Sequence, residues 1–491
     1  FIFMFYSMWE TWNAHPKHIF FIVGNEFCER FSYYGMRSVL LLYLRDYLHW
    51  DDDTSTAVYH AFTVLAYLFP LVGAIVADSY WGKYKTIIYL SVVYVFGHAV
   101  KTVGSIPYVP SQVAHAVLSM FGLFFIAVGT GGIKPCVSSF GGDQFKPGQS
   151  YIRKQFFSLF YFAINAGSLI STFVTPIFRA DVNCYPNETG PEFDQCFALA
   201  FGVPGALMVV ALILFIAGSR WYTIYPPEGS IFTKVCKCIY TAFIACYMYV
   251  TYLSSRAWRG NDSCYNTGGL FHAPVYYQPK LIRDTKYVLR VLVLYIPLPF
   301  FWALFDQQGS RWTLQAIQTN GYLGTLLIKP DQVEVLNPLL IVTLIPIFEA
   351  TLYPFLRYFK IPFPPLRRMT VGLVLAGLSF IAAAILQIEI DNLDLNPNTI
   401  SVAWMIPQFL IITIGEVFLS ITGLEFSYTQ APPSMKSVLT SIWLFTVSLG
   451  NIIVLIIAEA KGIEKQSDEF FLFAGLIFVA AILFVFLAYR Y

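Results

Sequence analysis

Apolar runs of about 20 residues recur along the whole chain, near 19–45, 56–78, 85–104, 113–140, 156–178, 197–218, 288–305, 333–356, 370–389, 400–424, 437–458 and 470–489. That length matches the hydrocarbon core of a bilayer, where only a helix or a closed barrel satisfies its own backbone. The pattern predicts an all-α membrane protein with twelve transmembrane helices. Composition agrees: hydrophobic residues make up 57% of the 491 and charged residues 12%, and the mean hydropathy is +0.61. An aromatic content of 18% suits belts at two interfaces, and a net charge of +2 gives no reason to expect nucleic acid as a partner. The opening FIFMFYSMWETW lacks the basic start and small-residue cleavage site of a signal peptide and is too short to span; it reads as an interfacial segment with no assigned function.

Basic residues fall in alternate loops: Lys83 and Lys85, then Lys146, Arg153 and Lys154, then Arg357, Lys360, Arg367 and Arg368, then Lys436, with Arg490 last. This bias places those loops and both termini in the cytoplasm, as expected of a multi-pass protein of the plasma membrane. The opposite loops carry Asp51, Asp52, Asp53, Asp181, Glu188, Glu192, Asp194, Asp391 and Asp394. Cys184 and Cys196 share one of these outer loops with the sequon Asn187-Glu188-Thr189, so a disulfide and a glycan are expected there. The other six cysteines show no metal-ligand spacing, and no metal or cofactor is expected. One long interruption punctuated by proline and glycine divides the chain into residues 1–218, a cytoplasmic linker 219–287, and residues 288–491.

Charge inside the first apolar run is the strongest functional signal. Glu26, Glu29, Arg30, Tyr33, Tyr34 and Arg37 fall on one face of a helix, with Phe27, Cys28 and Phe31 elsewhere. Charge is costly in lipid, so such a stripe is expected to line a hydrated cavity; the competing reading, a structural ion pair between helices, accounts for two charges better than four.

Two six-helix halves joined by a cytoplasmic linker resemble the major facilitator superfamily, whose substrates bind between the halves near the midplane. Gly73-AIVA-Asp78-SYW-Gly82-Lys83-Tyr84-Lys85 is similar to that superfamily's loop between spans two and three, in which a helix-end carboxylate clasps basic residues in one state. The stretches from Glu26 to Gly35, GTGGIKPCVSSFGGDQF at Gly129 to Phe145, FYFAINAGSLIST at Phe160 to Thr172, YIPLPFFWALFDQQGSRWTLQA at Tyr295 to Ala316, and GLEFSYTQAP at Gly423 to Pro432 together resemble the proton-coupled oligopeptide transporter family, close to its animal di- and tripeptide carriers. Two features depart from that family. The linker lacks a strongly basic helix, and the connection near 391–399 is short where mammalian members carry a large extracellular domain.

The resemblance implies roles for particular residues. Lys134, deep in its span, becomes the partner of the first-span glutamates; the glycines around it form no phosphate loop and more simply allow close helix packing. Glu416 and Glu425 stand nine residues apart on opposite faces of an ideal helix, so both cannot line one cavity, and the resemblance selects Glu425. Glu425 against Arg37 and Lys134 would clamp the ammonium and carboxylate of a short peptide, whatever its side chains. Asn165 and Asn337 suit a peptide amide, and Tyr34, Tyr43, Tyr67, Trp302 and Trp443 would supply walls. His60, read as lying at the outer start of span two, is the expected first proton acceptor with Asp306; Arg290 and Glu349 are expected to pair as a gate across spans seven and eight.

The implied activity is symport of di- and tripeptides, and of peptide-like compounds, with protons by alternating access, carried out by a monomer in the bilayer. A proton passing His60 and Asp306 would neutralise Glu29 and free Lys134 or Arg30 for the peptide carboxylate. A carrier of nitrate or another anion, as among plant relatives, and a membrane sensor that binds peptide without moving it are the competing readings. An enzyme is not expected, since no nucleophile with a base and no metal-ligand cluster emerges.

Overall fold

The computed structural model describes residues 17–109, 111–146, 148–186, 195–227, 229, 233–240, 279–392, 399–430, 436–460 and 465–491. The first half comprises α1 (Ile19–Leu42), α2 (Asp52–Val76), α3 (Gly82–Val103), α4 (Gln112–Gly142), α5 (Ser150–Ala180) and α6 (Phe197–Ala217). The second comprises α7 (Pro279–Tyr295), α8 (Leu298–Phe305), α9 (Arg311–Ile317), α10 (Leu336–Ile347), α11 (Tyr353–Tyr358), α12 (Pro365–Asn392), α13 (Ile406–Glu416), α14 (Thr422–Gln430), α15 (Lys436–Glu459) and α16 (Gln466–Arg490). Local sequence explains several boundaries. Asp51 caps α2 by accepting from the Thr54 amide at 3.1 Å, and Ser111 caps α4 by accepting from the Ala114 amide at 3.1 Å. Pro297 and Pro299 break α7 from α8, and the pair bends by 49°.

Nine described helical segments are long and apolar enough to cross a membrane, or ten with that bent pair as one span. One of the nine, Asp52–Val103, is 52 residues long and contains both α2 and α3, and α1 is left out by its charges. The buried apolar side chains form two cores, one from residues 19–222 together with Leu314, the other from residues 235–484, and Tyr67 packs against both. This is the two-bundle architecture of the major facilitator superfamily.

Within the first half, α2 and α4 touch through glycine. A Cβ on Gly73 would land on the backbone of Gly132, so the glycines near Lys134 serve close helix packing. In the loop after α2, Gly82 has φ +74. The clasp there differs from the expected one: Lys83 Nζ bonds Asp143 Oδ2 at 2.6 Å, at the far end of α4, while Asp78 uses its backbone oxygen to accept from Gly229 at 2.8 Å. Most of the expected linker, 241–278, lies outside the described residues, as do the first 16 residues and the sequon at Asn187. The helix of the seventh span begins at Pro279, earlier than the apolar run, because the polar turns PKLIRDTKY continue it.

Cys184 and Cys196 form the expected disulfide, with their Cα atoms 5.7 Å apart. It joins the end of α5 to the start of α6 and marks one face of the bundle, here called the disulfide side. On the same side the chain departs from all-α structure in a small antiparallel hairpin, Tyr322–Leu323 paired with Leu326–Leu327, turned at Gly324 with φ +64. We expect Gly73→Val to destabilise the fold by roughly 2 kcal/mol through overpacking, read as a lower unfolding midpoint in detergent; an unchanged midpoint would contradict the α2–α4 contact.

Candidate functional site

α1 is the central strut of the site, and its charged stripe divides into two parts. Towards the N-terminus, Arg30 Nε holds Glu26 Oε1 at 2.7 Å and Glu29 Oε2 at 3.0 Å, and Thr130 of α4 donates to Glu29 Oε1 at 2.8 Å. One guanidinium is shared by two buried carboxylates, each 2% exposed. Lys134 is not bonded into this cluster. Its Nζ stands over the rings of Tyr67 at 3.8 Å and Tyr33 at 4.4 Å and donates no hydrogen bond among the described residues. Arg30, not Lys134, therefore holds the first-span glutamates in this state, because it lies one turn from Glu26 on the same helix.

One turn further along α1, Tyr34 and Arg37 open onto a cavity of about 110 Å³ between the halves. Its walls include Tyr67, Asn165, Ser168 and Thr172 from the first half, and Trp302, Asp306, Gln308, Glu334, Asn337 and Glu416 from the second. Asn337 donates to Glu416 Oε2 at 2.8 Å, Asn165 donates to the Tyr161 carbonyl at 2.8 Å, and Trp302 Nε1 donates to Thr446 at 3.1 Å. Arg37 Nη2 bonds Asp306 Oδ1 at 2.7 Å across the two halves, and its guanidinium also lies 5.2 Å from the Tyr59 ring centre. Opposite charges thus face one another across a space that both bundles enclose.

A polar network continues from this pair towards the disulfide side. Asn451 of α15 donates to Asp306 Oδ2 at 2.7 Å and accepts from His60 Nδ1 at 2.6 Å, while His60 Nε2 lies 2.8 Å from the Ser310 hydroxyl. Because the Asn451 amide nitrogen faces Asp306, its oxygen faces the ring, and Nδ1 carries a proton. The Ser310 hydroxyl can donate or accept, so His60 can hold one proton or two without breaking the network. His60 is fully buried, not at the membrane surface as expected; the helix begins at Asp52 and carries it two turns inward against α15. Further out, Arg179 grips Asp331 with Nε at 2.9 Å and Nη2 at 3.0 Å, Lys329 bonds Asp181 at 2.6 Å, and Arg311 bridges Asp53 at 2.7 Å and Glu469 at 3.0 Å. Each of these three joins a residue of the first half to one of the second, so the disulfide side is closed by ion pairs that sequence reasoning did not single out. Arg179 and Arg311 lie within or at the ends of apolar spans, which was the signal available.

Five further expected residues are corrected by this geometry. Glu425 lies in α14 near the opposite end of the tenth span and is exposed, whereas Glu416 occupies the cavity wall at mid-span. Tyr43 is fully buried in the first half, where its hydroxyl bonds the Gly104 carbonyl at 3.0 Å and Ser119 at 2.7 Å beneath the Lys101 amine. Trp443 packs edge-on behind Trp302 and against Gly423, outside the cavity lining. Arg290 and Glu349 are both exposed and form no ion pair within 4.0 Å among the described residues; closure is provided by Arg179, Lys329 and Arg311 on the opposite side of the molecule. Among the described residues no group of three or more His, Cys, Asp or Glu side chains is placed to hold a metal ion.

Two bundles around a central charged cavity, joined on one side by ion pairs, define a membrane carrier of the major facilitator type. The profile of the POT family matches residues 84–463. The solute carrier family 15 member 2 of Danio rerio is 38% identical over 670 aligned positions, covering 97% of this chain and 91% of the relative. The crystal structure of the POT family transporter PepTSo superposes with a TM-score of 0.80 at 32% identity, covering 97% and 98% of the two chains. A second solved structure, a proton dependent oligopeptide (POT) family transporter, gives a TM-score of 0.71 at 32% identity, covering 94% and 99%. The chain belongs to the POT family. The alignment to the Danio rerio relative is far longer than this chain's 491 residues, so that relative holds inserted sequence that this chain lacks.

The corrected placement of the acidic residue is directly testable. We expect Glu416→Gln to weaken dipeptide binding by about tenfold or more, the scale of one charge-assisted bond, and Glu425→Gln to leave it within about twofold. The reverse order, measured by competition against a labelled dipeptide, would restore Glu425 to the site.

Proposed function

We propose that this chain is a proton-coupled symporter that imports di- and tripeptides and peptide-like compounds by alternating access of its two halves. The observation that carries the reading is the cavity itself, with the Arg37 guanidinium from one bundle and the Glu416 carboxylate from the other. A short peptide presents a carboxylate and an ammonium at a separation set by its length, so this pair binds termini and tolerates varied side chains. Tyr34, Tyr67, Asn165, Trp302 and Asn337 supply apolar bodies and amide partners for the backbone between them.

Protons enter the cycle where charge holds the halves together. Both oxygens of Asp306 are engaged, one by Arg37 and one by Asn451, and Asn451 connects to His60. Protonation at Asp306 loosens the grip on Arg37 and releases its guanidinium for a peptide carboxylate, while His60, joined to Asp306 through Asn451, can hold a proton beside it. Neutralising Glu29 would likewise end the sharing of Arg30 between two carboxylates. Binding of the peptide and of the proton then favour each other, and an inward-negative potential contributes about 2.3 kcal/mol per charge per 100 mV. The alternating basic loops support a multi-pass placement in the plasma membrane with both termini in the cytoplasm, and neither bundle requires a second copy to complete the cavity, which supports a monomer.

A carrier of small anions fits less well, because the cavity lining holds three carboxylates, Asp306, Glu334 and Glu416, and one guanidinium. A non-transporting sensor is separated by electrophysiology: the symporter gives an inward current on dipeptide addition at acid external pH, and a sensor gives none. With Glu29→Gln, we expect acid-driven accumulation to fall to the background while exchange of internal for external peptide persists. Undiminished accumulation would defeat the role given to Glu29.

A further inference from the structure

The cavity contains one acidic group that a zwitterion does not require. Asp306 is occupied by Arg37 and Asn451, and Glu416 is bonded by Asn337. Among the described residues, the carboxylate of Glu334 receives no hydrogen bond and no ion pair within 4.0 Å, although it lies in electrostatic reach of Arg37. It sits on the 3₁₀ turn Pro330–Val335, whose other acid, Asp331, is buried against Arg179. The following residues place Asn337, Pro338 and Ile341 on the same lining, the three-to-four spacing of one helix face, so the backbone directs Glu334 into the cavity. Across from it α5 contributes Ser168 and Thr172, small side chains that leave room. Thr172 already donates to the Ser168 carbonyl at 2.9 Å, so its hydrogen is committed to its own helix.

With Arg37 and Glu416 assigned to the two termini of a bound peptide, an extra carboxylate gives the lining a negative charge left over for the side chains. A neutral dipeptide leaves that charge unmatched, an acidic one adds repulsion, and a basic one neutralises it. The electrostatics are strengthened by the low-dielectric surroundings.

We propose that Glu334 is a specificity-determining residue of this carrier, which selects di- and tripeptides bearing a basic side chain over those bearing an acidic one. The proposal rests on the reading of the cavity as the peptide site.

The test is competition by unlabelled Ala-Lys, Ala-Ala and Ala-Glu against a labelled neutral dipeptide, in cells expressing the wild-type chain, Glu334→Gln or Glu334→Lys. The quantity read is the ratio of inhibitory concentrations for Ala-Glu and Ala-Lys, which does not depend on how much protein reaches the surface. We expect a ratio on the order of ten for the wild type, the effect of one charge contact, a ratio near one for Glu334→Gln, and an inverted ratio for Glu334→Lys. An unchanged ratio in both variants overturns the proposal. So does an intact ratio accompanied by an equal shift in the pH dependence of uptake of all three peptides, which would make Glu334 a proton site. Failure of Ala-Ala to compete in the wild type would instead remove the peptide reading itself, and this proposal with it.

Discussion

The ion pair between Arg37 and Asp306 is the innermost of the charge contacts between the halves that hold this structure in its present arrangement. It is 2.7 Å long, its side chains are 6% and 4% exposed, and its partners belong to opposite bundles. Two charges withdrawn from water are seldom a net source of stability, because desolvation offsets their attraction. They are, however, very sensitive to the loss of one partner. A buried pair at the seam of two otherwise separate cores is therefore better suited to switching than to strengthening. Beyond it on the disulfide side, the His60–Asn451 hydrogen bond and the ion pairs of Arg179 with Asp331 and Arg311 with Asp53 also join one half to the other.

The cost of this polar seam is met by the apolar construction around it. Each bundle has its own core of aromatic and aliphatic side chains, and glycine contacts such as Gly73 with Gly132 bring helices close without polar bonds. The halves can then move as units while the groups between them change partners. Lys134 illustrates the economy of the arrangement. Cradled by the faces of Tyr33 and Tyr67, its ammonium is stabilised without a committed carboxylate, and it lies beside a cavity wall that Tyr67 itself forms.

Much of this was legible in the chain. Membrane burial makes charge conspicuous, so Glu26, Glu29, Arg30, Arg37 and Asp306 stood out against their apolar surroundings, and the period of the helix placed Tyr34 beside Arg37 on the inward face. Periodicity also separated Glu416 from Glu425, but it cannot say which face of an apolar helix looks inward; that depends on the neighbours, and a π turn at Val417–Ile421 intervenes between the two. Hydropathy set His60 near a boundary because the helix start at Asp52 is acidic, whereas α15 crosses there and buries it. Tyr43 and Trp443 were indistinguishable by composition from aromatics that do line the cavity. The closing ion pairs were missed for a related reason: Asp331, Lys329 and Asp53 lie in loop and cap segments, where charge is ordinary and carries no signal until the fold brings a partner from the other half.

If the inner ion pair governs the outer ones, removing the charge of Asp306 opens the disulfide side. The direct measurement is the distance distribution between spin labels at positions 113 and 326, exposed sites on that side in the first and second halves. It would be recorded at neutral pH for the wild type and for Asp306→Asn, which removes the charge as protonation does. The account predicts one short distance for the wild type and a substantial second population at longer distance for the variant. Identical distributions for the two would mean that the halves are held by something other than this ion pair.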